Sequence, residues 1–309
     1  MAAPKQPRNI TVVGGAGSVG APIVASLLAT GIHQVSVITR AESTAEFPAS
    51  VRVHRSGYAD EEALAAALAG QDVLVLALAY TAYDAQVPLI KAAARARVPY
   101  VVPCEFGSDA THGALNAEIA LMRVKKPYRD LVESLGASAW IGVVNNPWFD
   151  FCMRGGFLGV DLKRRTATLL DGGRVRANFT TLGRVGRSLA ALLSLPGPEL
   201  ARHGNGWVYF SSFAASQRDI LDSALRATGT AEAEWAVTHG SALEVRTRAK
   251  EATARGDHMA GAGALFALMF SDGFGGDYGD KVVDYARLGL EPEESLDQVV
   301  KELVDELGP

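Results

Sequence analysis

The chain is short of cysteine, of long uncharged runs and of any excess of positive charge. Its 309 residues hold two cysteines, Cys104 and Cys152. Two thiols cannot build a disulfide framework, and no Cys/His cluster has metal-ligand spacing, so no metal is expected. The opening MAAPKQPRNI lacks the apolar segment of a secretory signal, and a reducing cytosol is the expected address. The longest uncharged stretch, Asn9 to Thr39, is broken by glycines and Pro22. The most apolar helix candidate, Met259 to Phe270, is too short to cross a bilayer and reads as buried. A formal net charge of -4 gives no electrostatic reason to approach nucleic acid or an anionic membrane. The expected partner is a small molecule, and a homodimer is compatible with such a chain. The familiar Tyr-x-x-x-Lys pair is missing as well. None of the eight tyrosines has lysine four residues later, and Tyr128, on the relevant helix, has Val132 there.

Hydrophobic content of 48% with 21% charged residues predicts a sizeable core. Up to about residue 150, strand and helix patterns alternate. Strands are predicted over Asn9–Val13, Gln34–Thr39, Val51–His54, Val73–Ala79, Tyr100–Pro103 and Ser138–Val144. Helices are predicted over Val19–Thr30, Asp60–Ala69, Asp84–Arg97 and Asn116–Gly136. Such alternation implies right-handed crossovers and an α/β, Rossmann-type, doubly wound parallel sheet. Residues 1–150 are assigned to dinucleotide binding. Residues 151–309 read as a smaller α+β substrate-side region that can return elements to the first. There Thr166–Leu170 and Arg174–Phe179 flank Asp171-Gly172-Gly173, read as a hairpin turn, and Gly206–Ser211 is a further strand. Helices are expected over Leu182–Leu193, Ser216–Ala227 and Leu243–Ala254. A last one opens at Ser295, with Gln298 completing a capping box. The glycine-rich stretch Ser271–Asp280 reads as a mobile loop, and a lid is one use for it.

The strongest chemical signal is TVVGGAGSVGAPI, Thr11 to Ile23. Gly14, Gly17 and Gly20 fit one dinucleotide spacing, and Gly15, Gly17 and Gly20 fit another. A β-rich run enters and an amphipathic helix leaves, which is the context the fingerprint requires. Gly14, Gly15, Gly17, Ser18, Val19 and Gly20 are therefore the expected pyrophosphate cradle, at a helix N-terminus whose N–H groups face outward. Arg40 follows Gly20 by about twenty residues, where an acid commonly binds the NAD ribose and an arginine accommodates the NADP 2′-phosphate. NADP(H) is the expected cofactor, although Glu42 stands close by.

The segment Val101-Val102-Pro103-Cys104-Glu105-Phe106-Gly107-Ser108-Asp109, followed by Lys125, Arg129 and Gly136, resembles the isoflavone reductase-like and NmrA-like group of atypical short-chain dehydrogenases, its fungal members above all. Asn145-Asn146-Pro147-Trp148-Phe149 stands where that group carries a Gly-Phe-Trp-like segment. Gly183-Arg184-Val185-Gly186-Arg187 agrees as well. The resemblance covers most of the chain. It implies an NADPH-dependent reductase of a small, aromatic or natural-product-like metabolite, with Lys125 as general acid/base. It also sets Ala79, Pro103, Glu105, Lys125 and Asn145 at the cofactor. Pro127 departs from the pattern, because a helix kinked or restarted there leaves Lys125, Lys126 or no lysine in place. His112 and Asn146 are candidate substrate contacts. Trp148, Phe149 and Phe151 read either as the wall of an apolar pocket or as ordinary core. Cys104 reads as a small buried residue rather than a reactive thiolate. Two alternatives stay open beside the reductase: a dinucleotide-sensing regulator without turnover, and a non-redox cyclase or imine-reducing variant on the same fold.

Overall fold

The computed structural model describes residues 5–257, 260–291 and 294–308. In the first half the chain runs β1 (Asn9–Val13), α1 (Gly20–Ala29), β2 (Gln34–Thr39), β3 (Arg52–Arg55), α2 (Glu61–Leu68), β4 (Val73–Leu76), α3 (Gln86–Arg95), β5 (Tyr100–Val102), α4 (Gly113–Glu118), α5 (Ala120–Arg123), α6 (Lys126–Leu135) and β6 (Ala139–Val144). It continues through α7 (Phe149–Arg154), β7 (Val160–Asp161), β8 (Thr166–Leu170), β9 (Arg176–Phe179), α8 (Leu182–Leu192), α9 (Gly197–Ala201), β10 (Gly206–Tyr209), β11 (Phe213–Ser216) and α10 (Gln217–Thr228). The last elements are β12 (Ala236–Gly240), α11 (Ala242–Ala254), α12 (Ala260–Met269) and α13 (Leu296–Leu307). Met259 lies outside the described residues.

Seven parallel strands form the main sheet in the order β10-β6-β5-β4-β1-β2-β3. Helices cover both faces, as the doubly wound expectation requires. The chain leaves β1 toward β2 and β3, then returns to place β4 on the other side. This makes the gap between β1 and β4 a topological switch point, the place where such sheets bind ligands. The four residues of β4 show why the sheet is buried on both faces: all are fully inaccessible. Val73 and Val75 pack into the core that holds Ile23 and Leu27 of α1. Leu74 and Leu76 pack into the one that holds Leu64 and Leu89 of α2 and α3. On the first face α1 lies directly on α8, where a Cβ on Gly186 would come within 2.4 Å of the Pro22 carbonyl. Gly186 thus permits the helices to touch.

β10, far along the chain, closes the sheet beside β6 in parallel register, Gly206 opposite Ile141. The remaining strands make two small sheets, β11-β9 and β12-β8-β7. They share a separate core in which Phe149, Phe179 and Phe213 meet Phe270 and Val300.

Four expectations are corrected. Asp171, Gly172 and Gly173 all have positive φ (48°, 84° and 66°), so the turn is sharp. Yet β8 and β9 form no hairpin: both edges of β8 are taken by β7 and β12, and β9 pairs with β11. The helix expected over Asn116–Gly136 is three helices, because Ile119 is extended (φ −111°, ψ 109°) and Pro127 sits in the first turn of α6. A proline there lacks an N–H that the helix would leave unpaired anyway. Ser295 accepts from the Gln298 N–H at 3.4 Å, but the Gln298 amide turns to Glu302, so only half of the capping box forms. Finally, Ser271–Asp280 is anchored rather than loose. Tyr278 is buried and donates to the Phe210 carbonyl at 2.9 Å, and the Gly276 carbonyl accepts from the Asn146 amide at 2.9 Å.

Candidate active site

The glycine turn opens from the end of β1 at the switch point. Gly14 has φ +79°, and a Cβ there would lie 2.2 Å from the Ala77 carbonyl oxygen at the end of β4. A Cβ on Gly20 would lie 2.1 Å from the Gly14 oxygen. Both positions exclude any side chain, the first by backbone conformation and contact, the second by contact alone. What results is a shallow cradle of exposed Ala16, Gly17 and Ser18 in front of α1, tied by the Gly17 N–H to the Gly14 carbonyl at 2.9 Å. No side chain caps α1, and its first turn holds no acidic residue. An uncapped helix N-terminus behind a glycine cradle fits a pyrophosphate. Val19, the N-cap, is buried under it.

Around this cradle the strand ends converge. Ala79 stands exposed at the end of the β4 segment that closes over Gly14. Because β2 pairs with β1 with Ile38 opposite Val13, Arg40 emerges at the same sheet edge as the glycines. Its side chain is 68% exposed and makes a 3.4 Å ion pair with Glu42. Pro103 is buried at the end of β5. Just beyond it, the Gly107 carbonyl accepts the N–H groups of both Asn145 and Asn146, at 2.9 and 3.1 Å. The Asn145 side chain is fully buried, and neither its Oδ1 nor its Nδ2 has a hydrogen-bond partner among the described residues. A buried amide with its donor and acceptor both unspent is costly unless something pairs with it. A carboxamide-bearing ring at this edge would do so.

Lys125 sits at the junction of α5 and α6, in the N-cap position of α6. Its side chain is 7% exposed, and Nζ donates to the Glu105 carbonyl at 2.7 Å. The Glu105 carboxylate is buried too. One oxygen pairs with Arg129, while the other, 3.9 Å from Lys125 Nζ, accepts no hydrogen bond among the described residues. Burial lowers the Lys125 pKa from its ordinary value. The negative charge of Glu105 pulls it back up, and Arg129 pushes it down again. Lys126 points outward, 68% exposed and held by Asp130 at 2.7 Å. Of the two lysines before Pro127, only Lys125 is buried. Cys104 is buried, its thiol donating to the Leu76 carbonyl at 3.1 Å, and burial pushes its pKa up to about 12. It is not a thiolate at neutral pH.

The expected pocket residues divide. Phe149 is fully buried in an aromatic cluster with Phe179 and Phe213, so it is core and lines no wall. Asn146, with φ +50°, spends its amide on the Asn178 and Gly276 carbonyls and is structural as well. His112 caps α4 by accepting from the Leu115 N–H at 3.4 Å. It borders a small polar cavity of about 290 Å³ beside Asp109 and Lys281. Trp148 is half-buried, with an indole N–H that has no partner among the described residues. Its ring meets Phe151 edge-on at 5.7 Å. Phe151 in turn lines an apolar cavity of about 680 Å³ shared with Phe157, Leu158, Leu170, Phe266 and Phe270. Phe157 and Phe266 stack at 5.9 Å, 12° from parallel. Sequence reasoning missed both, since they lie more than a hundred residues apart and neither sits in a motif.

Fold and cradle together define a dinucleotide-binding Rossmann protein. A family model described as NAD(P)H-binding matches residues 14–131. The oxidoreductase aprR of Aspergillus flavus is 31% identical over 302 residues, covering 96% of this chain and 98% of its own. AtPrR2, solved with NADP+ and (+)pinoresinol, superposes with a TM-score of 0.78 at 18% identity, covering 97% of this chain and 99% of that one. The Vitis vinifera leucoanthocyanidin reductase–NADPH complex gives 0.75 at 18% identity, over 96% and 99% of the two chains. The chain belongs to the family of the fungal oxidoreductase aprR, carries an NAD(P)H-binding domain and shares its fold with the pinoresinol and isoflavone reductases. Among the described residues no helix is long and apolar enough to cross a membrane, and no cluster of three metal-ligating side chains occurs.

Proposed function

We propose that this protein is an NADPH-dependent reductase of a small, largely apolar and aromatic metabolite, with Lys125 as its general acid/base. The observation that carries this reading is the burial of Lys125 at the sheet edge that also holds Gly107 and the unpaired amide of Asn145. A cation is costly to bury, and a desolvated ammonium releases its proton more readily than a solvated one. NADPH, when bound, supplies the hydride. Gly14 to Gly20 would hold its pyrophosphate, Arg40 its 2′-phosphate and Asn145 its carboxamide. Lys125 delivers a proton from Nζ to the reduced substrate and is left neutral, the form that a buried site favours. Phe151 of α7 lines the apolar cavity, and its ring meets that of Trp148, three residues beyond Asn145; in this reading the pair leads substrate toward the reacting edge. Gln217, an amide on the cavity wall, spends its polar atoms on the Leu158, Thr168 and Leu170 backbone. Such a wall selects by apolar and ring contact, as small-molecule pockets do.

A screen of aromatic ketones, enones and benzylic ethers with NADPH tests the reading, followed by K125A on any substrate found. K125A is expected to bind NADPH as the wild type does and to lose turnover by about a hundredfold or more, the usual worth of a general acid. Unchanged turnover would remove Lys125 from the mechanism. A sensor of the dinucleotide ratio has no use for a buried ionisable group at this edge, which favours the enzyme.

A further inference from the structure

We propose that the buried Glu105–Arg129 ion pair is a positioning device that sets the charge state of Lys125. The inference rests on the role given to Lys125 above and concerns residues that need not touch substrate.

Three charged side chains share one buried cluster. Glu105 is 2% exposed, and its carboxylate pairs with the Arg129 guanidinium through one oxygen while the other lies 3.9 Å from Lys125 Nζ. Arg129 is fixed from outside: its guanidinium lies 4.8 Å from the Trp207 ring centre and 5.6 Å from that of Trp140. Those rings come from β10 and β6, neighbours in the main sheet. Arg129 and Lys125 are four residues apart at the start of α6, so one helix turn presents both cations to the same carboxylate. Two further ionisable groups lie beside Lys125, and burial favours the neutral form of each. The Cys104 thiol is pushed up to about 12 by burial, and burial likewise raises the Tyr83 hydroxyl, whose ring centre is 6.0 Å from Nζ.

The arithmetic of charge then decides what Arg129 is for. A lysine facing a lone buried carboxylate would be locked in its charged form, because losing the proton would leave an unpaired anion. With Arg129 present, the carboxylate is already neutralised. A charged Lys125 makes the cluster net positive, and releasing its proton leaves a paired, neutral core. Glu105 meanwhile holds Nζ in place through its backbone carbonyl at 2.7 Å, so position and charge are set by the same residue.

The two partners act in opposite senses, which gives a sharp test. R129M should leave Glu105 unopposed and raise the proton affinity of Lys125 about tenfold or more. E105Q, which is isosteric, should lower it. R129K, which restores the cation, should return it toward wild type. The measurement is the pH titration of the Lys125 Cε resonance in ¹³C-lysine-labelled protein, assigned by its loss in K125R and read without substrate or cofactor. Opposite displacements in R129M and E105Q support the proposal, and a Lys125 midpoint unmoved in both overturns it. If R129M fails to fold, the E105Q titration decides alone: a lowered midpoint supports the device and an unmoved one refutes it. Should these midpoints move as stated while K125A keeps full turnover, the ion pair tunes a lysine that does no chemistry. The catalytic role of Lys125 would then fall and the electrostatic one would stand.

Discussion

Replacing Gly20 by alanine tests the cradle at its tightest point. Gly20 is the first residue of α1, where alanine is intrinsically better than glycine by about 1 kcal/mol. Its φ is ordinary, so backbone conformation raises no objection. Contact does: the new Cβ would meet the Gly14 oxygen at 2.1 Å, the Gly14 carbonyl carbon at 2.8 Å and the Gly15 Cα at 3.0 Å. All three are backbone atoms, and none can rotate away. The turn and α1 must separate, at the cost of about 1–3 kcal/mol typical of overpacking, so the net loss of stability should be at most about 2 kcal/mol. The effect on binding should be larger. A hydrogen bond to a charged group contributes about 1.5–3 kcal/mol, so losing one backbone N–H from the pyrophosphate weakens NADPH by about ten- to a hundredfold. Calorimetric titration with NADPH, alongside urea unfolding, reads both quantities. G113A is the control: Gly113 lies in α4, and a Cβ there would meet nothing within 4 Å. If G20A binds NADPH within threefold of wild type with an unchanged unfolding midpoint, the cradle is not where the pyrophosphate sits.

Arg40 gives a second test. R40A should weaken NADPH about tenfold and leave NADH unchanged, by calorimetry in one buffer; equal affinities of the wild type for the two would already deny Arg40 its role. His33 gives a pH test. Its Nδ1 accepts the Arg8 N–H at 3.2 Å and its Nε2 contacts Ser194 Oγ at 2.9 Å, while burial and the Arg8 charge lower its pKa below 6.5. The folded state therefore prefers neutral His33. This contribution is fully present above pH 6.5 and is lost as pH falls through the folded-state value, by at most about 1.4 kcal/mol per pH unit. In urea unfolding, H33N should be less stable than wild type at pH 7.5, with the gap narrowing toward pH 5. A gap independent of pH would mean that His33 does not titrate in this range. N146A strands the Asn178 and Gly276 carbonyls and puts alanine at φ +50°. It should cost about 2–4 kcal/mol in urea unfolding; a loss below about 1 kcal/mol would show that Asn146 does not tie the 270s segment to the sheet.

Wherever the determining contacts are local, the sequence alone was sufficient. Gln34–Thr39 and Thr166–Leu170 are strands over the residues expected, because β-branched runs bounded by polar or turn residues carry their own signal. Gly14 to Gly20 were legible for the same reason: the turn, the strand before it and the helix after it are contiguous. The strand expected through Ala79 stops at Leu76, since the chain must swing over Gly14 there. Partners far apart in sequence leave no such imprint. That β8 pairs with β12 and not with β9 depends on which edges other segments already occupy. That Phe149 is core while Phe151, two residues on, faces a cavity depends on where α7 lies against residues 157 and 266. Pro127 is the clearest case. The rule that proline breaks or begins a helix is compatible with Lys125, Lys126 or neither at the cofactor edge. What decided which lysine turns inward was the meeting of Glu105, Arg129, Trp140 and Trp207, from three strands or their ends and one helix. Their packing draws Lys125 inward and leaves Lys126 in water. Sequence determined that a dinucleotide cradle exists, because its geometry is written in seven consecutive residues; tertiary structure decided which lysine is buried, because burial belongs to no residue by itself.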